Sequence, residues 1–258
     1  MKSNLADICE YAKSKVDVTI LNEETYISTE NMIPNKGGIT NVSSLPTMTQ
    51  TQEFLAGDVL VSNIRPYFKK IWFAEFNGGD SNDVLVFRAK DGVNKRFLYY
   101  VLADDAFFDY SMATSKGTKM PRGDKEAIMK YEVPAFSYEE QGRIAGILEA
   151  LDRKIQLNTE INKNLEKQAL AIFYHHFMDF APYGDTAPSD WMEVSLDDVC
   201  IRITDGSHYS PADSPDSPYP MYSVKDMDTY GFNPLKCKHI SEDEFRKMQK
   251  SDCVPRLN

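Results

Sequence analysis

Two short stretches of the chain concentrate the side chains that grip a polyanion. In SNIRPYFKKIW, residues 62–72, the cations Arg65, Lys69 and Lys70 stand without an acid, and Asn63 and Tyr67 are interleaved. In SKGTKMPRGDK, residues 115–125, Lys116, Lys119, Arg122 and Lys125 face one acid, Asp124, with Thr118 among them. Ammonium and guanidinium groups neutralise phosphates, while amides, hydroxyls and planar guanidiniums bond to base edges. Arg65 and Arg122 rank first, because a guanidinium binds guanine or phosphate through two parallel hydrogen bonds. Gly117 and Gly123 are expected to let backbone approach phosphates. Ordinary solvated loop charges are the competing reading.

No residues suited to catalysis, metal binding or a cofactor are expected beside these. Cys9, Cys200, Cys237 and Cys253 lack the close pairing that zinc ligands need and read as buried or partly buried thiols in a reducing compartment. His175-His176 reads as structural or surface. An adenine methyltransferase needs an Asn/Asp-Pro-Pro-aromatic motif, and the nearest text, Ser217-Pro218-Tyr219, lacks the lead residue and the second proline. A phosphate-cradling GxxxxGK[ST] is absent, as is an acid-acid-lysine cluster for a metal-dependent nuclease.

The net charge of −10 runs against nucleic-acid binding, so such binding has to rest on local basic segments. Hydrophobic residues at 42% and aromatics at 12% make the composition globular. With 258 residues there is room for one or two cores. No apolar run reaches membrane-spanning length and MKSNLADICEYAKSK lacks a signal-peptide stretch, so a cytoplasmic protein without membrane contact is expected.

The elements that must position the basic segments alternate short β-like runs with breakers. Residues 1–136 contain the runs Asp58 to Val61, Ile71 to Ala74, Val84 to Phe87 and Tyr131 to Pro134. Lys36-Gly37-Gly38, Asn77-Gly78-Gly79 and Pro121-Arg122-Gly123 read as breakers. One helix is expected from Lys95 to Met112, giving an α+β domain with a mixed sheet.

Residues 137–180 change texture. A heptad places Ile144, Leu151, Asn158, Leu165 and Ile172 on one seam position, with Leu148, Ile155, Asn162 and Ala169 on the other. Ser137 and Glu140 form a capping-box signal. A long coiled-coil helix follows, rather than an amphipathic helix on a globular core, because seam asparagines fix register at a cost in stability. Its apolar stripe, residues 139–177, is expected to pair with a partner, a second copy of the chain among them.

Residues 181–189 read as a Pro/Gly-rich linker, after which the chain repeats itself. Leu5-Ala6-Asp7-Ile8-Cys9 is echoed by Leu196-Asp197-Asp198-Val199-Cys200. Tyr26-Ile27-Ser28-Thr29-Glu30-Asn31-Met32 is echoed by Met221-Tyr222-Ser223-Val224-Lys225-Asp226-Met227. A period of about 190 residues implies a duplicated domain, not a solenoid. The second copy, residues 190–258, is expected to be incomplete, closing on Arg256-Leu257-Asn258.

The runs Glu140-Gln141-Gly142-Arg143-Ile144-Ala145, Leu151-Asp152-Arg153-Lys154-Ile155 and Leu165-Glu166 resemble the central region of type I restriction-modification specificity subunits. Gly57-Asp58-Val59-Leu60-Val61-Ser62-Asn63-Ile64-Arg65-Pro66 and Gly117-Thr118-Lys119-Met120-Pro121-Arg122 resemble their target-recognition domains. The resemblance implies a non-catalytic protein in which each recognition domain reads half of a split site in double-stranded DNA. It also implies helices that space the domains and dock methyltransferase subunits and, through them, the restriction subunit. On this reading the chain is a C-terminally truncated subunit without the second spacer helix. The alternatives are an inactive copy, or a coiled-coil interaction protein that reads no DNA.

Overall fold

The computed structural model describes residues 2–201, 203, 205–228, 231–234 and 237–250, so Cys253 and the Arg256-Leu257-Asn258 end of the second copy lie outside the described residues. The chain divides into two compact units, Met1–Ala171 and Ile172–Asn258. In the first unit β1 (Lys2–Asn4), α1 (Leu5–Ile8), β2 (Cys9–Tyr11), β3 (Lys15–Asp17) and β4 (Tyr26–Ile27) come first. Then follow β5 (Gln50–Phe54), β6 (Val59–Ser62), β7 (Ile71–Phe73), β8 (Gly78–Asp80) and β9 (Val84–Ala89). Helices α2 (Lys95–Ala103), α3 (Asp105–Ala113) and α4 (Lys125–Ile128), strand β10 (Glu132–Pro134) and the long helix α5 (Tyr138–Phe173) complete it.

Two four-stranded sheets form the body, in the orders β2-β9-β6-β7 and β3-β5-β8-β4. Every pairing is antiparallel except β4 with β8, so the fold is α+β with a mixed sheet. Period-two alternation splits the central strands between two cores. Val59, Val61, Leu85 and Phe87 face Leu98, Leu102, Phe107 and Phe108 of the helices. Leu60, Val84 and Val86 face Ile27, Met32 and Phe54 of the other layer. Each such side chain contributes about 1.5–3 kcal/mol through burial.

Two local expectations fail for identifiable reasons. The helix expected from Lys95 to Met112 is two helices, because Asp104 is extended (φ −64°, ψ 139°) and its carboxylate accepts from Ala106 N at 3.1 Å. An aspartate that caps the next helix interrupts the one before it. Gly78 and Gly79, expected as a breaker, lie inside β8. A Cβ on Gly78 would stand 2.2 Å from Thr25 O, and one on Gly79 2.5 Å from a Leu21 methyl. Here glycine permits a close approach of layers rather than a turn.

Two buried acids lie in this body. Asp58 accepts from Arg88 Nε at 3.0 Å and Nη2 at 2.6 Å, and from Leu55 N at 2.8 Å, so its charge is satisfied. Asp80, in β8, is fully buried and both carboxylate oxygens lack a hydrogen-bond partner.

Helix α5 begins where the capping box was expected: Ser137 N donates to Glu140 Oε2 (2.9 Å) and Glu140 N to Ser137 Oγ (3.3 Å). Its first turns dock on the domain. Buried Gln141 accepts from Asn94 N (2.9 Å) and donates to Phe136 O (2.9 Å). Glu149 pairs with Arg96 (3.2 Å), and Tyr100 donates to Asp152 (2.8 Å). From Leu151 to His175 every residue is exposed. Thirty-six helical residues reach about 54 Å at 1.5 Å per residue, and a π-helical turn, Tyr174–Met178, follows. No helix among the described residues is long and apolar enough to cross a membrane.

The second unit holds α6 (Leu196–Val199), β11 (Tyr219–Met221), β12 (Met227–Asp228), β13 (Gly231–Phe232), β14 (Lys238–Ile240) and α7 (Glu242–Lys250). β11 pairs with β14, and β12 with β13. Ile240 and Met248 are buried, and Tyr219 stacks on Phe245 at 4.3 Å. Cys200, expected to be buried or partly buried, is exposed, because the α6 residues before it, Leu196 and Val199, are themselves uncovered. The echoed segments share local geometry. Asn4 N donates to Asp7 (2.8 Å) and Ser195 N to Asp198 (2.9 Å), each opening a four-residue helix. Ser28 N donates to Asn31 (2.6 Å) and Ser223 N to Asp226 (2.8 Å).

Burial, and secondly the neighbouring Asp58 carboxylate, push the Asp80 carboxyl up to about 8. A folded-state pKa above the unfolded value means that Asp80 favours folding below about pH 4 and loses that contribution as pH rises to about 8. Asp80→Asn, neutral at every pH, is expected to flatten the fall of unfolding free energy between those limits. Denaturant titrations from pH 5 to pH 8.5 measure it; parallel wild-type and variant profiles would refute the assignment.

Candidate nucleic-acid interface

The chain leaves β6 at Ser62 and returns in β7 at Ile71, so residues 63–70 form the tip of a hairpin. The second basic segment runs from the end of α3 to the start of α4. The two are joined by backbone hydrogen bonds. Arg65 N donates to Pro121 O (2.8 Å), Gly123 N to Asn63 O (3.1 Å), and Ile64 bridges Arg122 antiparallel. Lys116 and Arg122 exchange two backbone bonds of 2.9 Å, closing the second loop on itself. Segments that are distant in sequence thus form one basic surface.

A third loop joins them. Asn35 N donates to Phe68 O (2.8 Å) and Lys36 N to Lys69 O (2.9 Å). Asn35, Lys36, Arg65 and Lys69 all have left-handed backbone, with φ of 56°, 62°, 51° and 50°. For the two lysines and the arginine this costs about 1–2 kcal/mol per residue, and such strain gathers where a site needs fixed geometry. Lys36 was missed by sequence reading, because its Lys36-Gly37-Gly38 context marked it as a breaker. The available signal was the Pro34-Asn35 turn, since asparagine tolerates the left-handed region.

Four cations of this surface pair with in-chain carboxylates. Lys36 and Lys69 both reach Asp105, Lys116 reaches Asp124 at 2.5 Å, and Arg122 reaches Asp83 at 3.0 Å. The two lysines hold the Asp105 carboxyl below its usual range, and Lys116 does the same for Asp124. Lys70 donates to Thr29 O (2.6 Å), and burial lowers its pKa. Arg65 is half-buried with its Nε unpartnered. Lys119, Thr118 and Tyr67 are exposed, and Tyr67 packs on Phe68 at 4.7 Å.

Two residues sit differently from expectation. Asn63 is buried, its Oδ1 enclosed and unpartnered, so its amide is turned inward in this conformation. Gly123 is also buried, and a Cβ there would stand 2.8 Å from Asn63 Oδ1, 2.8 Å from Ile128 Cδ1 and 3.0 Å from Ser111 Oγ. Its small size therefore serves packing, not a backbone approach to phosphate. Gly117 (φ 92°) is exposed and makes the left-handed turn of its loop.

Of the helix stripe, Ile144 and Leu148 are half-buried, while Leu151, Ile155, Asn158, Asn162, Leu165 and Ile172 are exposed. An open groove of about 960 Å³ runs between α5 and the domain, and Leu148 and Ile155 line it opposite Trp72, Phe73 and Tyr99. Part of the stripe thus faces its own domain.

Residues 1–167 match the family model described as type I restriction modification DNA specificity domain. Over 130 residues the chain is 32% identical to the type I restriction enzyme MjaIX specificity subunit of Methanocaldococcus jannaschii, covering 46% of the chain and 30% of that protein. It is 28% identical over 188 residues to the HindI specificity subunit of Haemophilus influenzae, covering 69% and 41% respectively. The matched regions span less than half the length of these relatives. Among solved structures, the S subunit of a type I restriction-modification system from M. genitalium has a TM-score of 0.53 at 18% identity, covering 90% of the chain and 61% of that structure. That likeness is one of fold.

The packing at Gly123 has a direct test. Gly123→Ala is expected to cost about 1–3 kcal/mol by overpacking the junction of the two loops. Urea unfolding measures it, and an unchanged midpoint would show that the junction has room to spare.

Proposed function

Because the chain belongs to the type I restriction modification DNA specificity domain family, its model spanning residues 1–167, we propose that the first unit reads double-stranded DNA and that its work is binding, not catalysis. The observation that carries this reading is the hydrogen-bonded junction of the two basic loops, Ile64 with Arg122 and Arg65 with Pro121. A surface assembled from separate segments on a rigid sheet suits readout, because base-edge contacts need fixed geometry.

In this reading Arg65 and Arg122 make the base-edge or bidentate phosphate contacts. Lys69, Lys116 and Lys119 neutralise phosphates, and Tyr67 and Thr118 contact sugar or base. Lys70 braces the loop through Thr29 O, and Asn63 does so through its backbone bonds to Gly123 and Asp83. Residues 1–136 are the first recognition domain, 137–180 the spacer helix, 181–189 a linker and 190–258 part of a second recognition domain. The shared capping geometry of α1 and α6 supports that duplication. Methyl transfer and cleavage belong to partners: methyltransferase subunits docked along α5 and, through them, a restriction subunit.

The stripe of α5 beyond Leu151 invites a further partner. Leaving Leu151, Leu165 and Ile172 in water forgoes about 1.5–3 kcal/mol for each. A second copy, related by a two-fold axis and antiparallel at the helix middles, brings Asn158 and Asn162 of the two chains together and presents two recognition domains for a palindromic split site. Sedimentation of the wild type with Leu151→Lys as control decides this. A dimer dispersed by lysine is expected; a wild-type monomer, or a dimer indifferent to lysine, sinks the pairing.

The DNA surface is tested by substitution. Arg65→Ala and Arg122→Ala are expected to lose about 1–3 kcal/mol of binding to the cognate site, with relaxed preference at one position. Lys119→Ala, which removes an exposed lysine, should weaken binding to all sequences and reduce the salt slope by about 0.9. If fluorescence anisotropy finds all three variants equal to the wild type, the assigned surface is wrong.

A further inference from the structure

Lys36 and Lys69 come from different loops and end on one carboxylate. Lys36 Nζ lies 2.8 Å from Asp105 Oδ1, and Lys69 Nζ lies 3.0 Å from Asp105 Oδ2. Both lysines are fixed by their backbone. Each is left-handed, and Lys36 N donates to Lys69 O at 2.9 Å. Two ammoniums held on either side of one singly charged group with two anionic oxygens make an anion site. A carboxylate and a phosphodiester share that charge and that pair of oxygens. Asp105 is therefore an in-chain anion seated where a DNA phosphate fits.

Resting on the DNA-binding reading above, we propose that Lys36 and Lys69 form a phosphate clamp and that Asp105 is its resident stand-in, displaced when a phosphate of the duplex enters. The Asp105 side chain is 58% exposed, so its two ion pairs are solvated and screened by salt and open at small cost. A duplex offers a dense line of phosphates and gains the entropy of released counterions. After displacement Asp105 stays in the first turn of α3, where the helix dipole favours a negative charge.

The stand-in has a defined consequence. Any duplex that uses the clamp must first expel Asp105, whatever its sequence, so the carboxylate lowers affinity evenly and leaves sequence preference alone. It acts through the two lysines, which makes it a positioning residue, and its effect must vanish when they are removed.

The test is fluorescence anisotropy of the full chain with a short duplex of arbitrary sequence, titrated across sodium chloride concentrations. Asp105→Asn, which keeps shape and removes charge, is expected to bind about three- to tenfold tighter than wild type at low salt. Lys36→Ala should bind more weakly, with a salt slope shallower by about 0.9. Adding Lys36→Ala to Asp105→Asn should abolish most of the gain. If Asp105→Asn binds no tighter than wild type while Arg122→Ala still weakens binding, the clamp is wrong and the DNA reading stands. If neither the wild type nor any variant binds a duplex, the DNA reading falls and the clamp falls with it.

Discussion

Burial of β6 on both faces is the constraint from which the first unit takes its form. Val59 and Val61 point into the helical core and Leu60 into the opposite layer, so neither side of the strand is free for a ligand. A strand covered twice exposes its chemistry only at its ends. At one end Asp58 is locked to Arg88 and to Leu55 N, which satisfies a charge that could not otherwise be buried. At the other end the chain leaves at Ser62 into the hairpin tip. There it meets the segment after α3, whose helix packs on the same core through Phe107 and Phe108. The basic surface lies where two core-anchored elements run out of apolar residues.

The parts of this design governed by neighbours in sequence were legible in it. The apolar runs of β6, β7, β9 and β10 formed strands, and Ser137 with Glu140 capped α5, because alternation and capping act over a few residues. Both basic segments were visible as composition. Their union was not, since Ile64 and Arg122 are brought together by the packing of the helices between them. Lys36 was passed over as part of a breaker, and the contacts that bring it to the surface, its backbone bond to Lys69 O and the Asn35 bond to Phe68 O, join segments far apart in sequence. Gly78 and Gly79 misled in the opposite direction. Glycine marks a turn or a close approach equally well, and only the facing residues, Thr25 and Leu21, tell which.

The echoed segments separate local from global information. The capped turns at Asp7 and Asp198 have matching hydrogen bonds, so the motif folds from its own residues. Leu5 is fully buried and Leu196 is 72% exposed, although each opens its helix in the same way. Leu5 is covered by residues that follow much later, Ile128 and Val133 among them. Identity of local structure is thus compatible with a large difference in packing. The cap sets the direction of the chain, and the rest of the domain supplies the burial.

The acidic balance of the chain also acquires a physical meaning on the basic surface. A net charge of −10 opposes long-range attraction of a duplex. Three of the carboxylates sit among the cations themselves: Asp83 on Arg122, Asp105 on Lys36 and Lys69, Asp124 on Lys116. Exposed pairs of this kind add little stability, about 0–1 kcal/mol each, so stability alone is a weak reason for their arrangement. What they do is hold long, flexible cations in a few orientations and cancel their long-range field. On the DNA-binding reading proposed above, a surface built this way would attract a polyanion weakly from a distance and discriminate at contact, where each counter-ion is exchanged for a phosphate or a base edge.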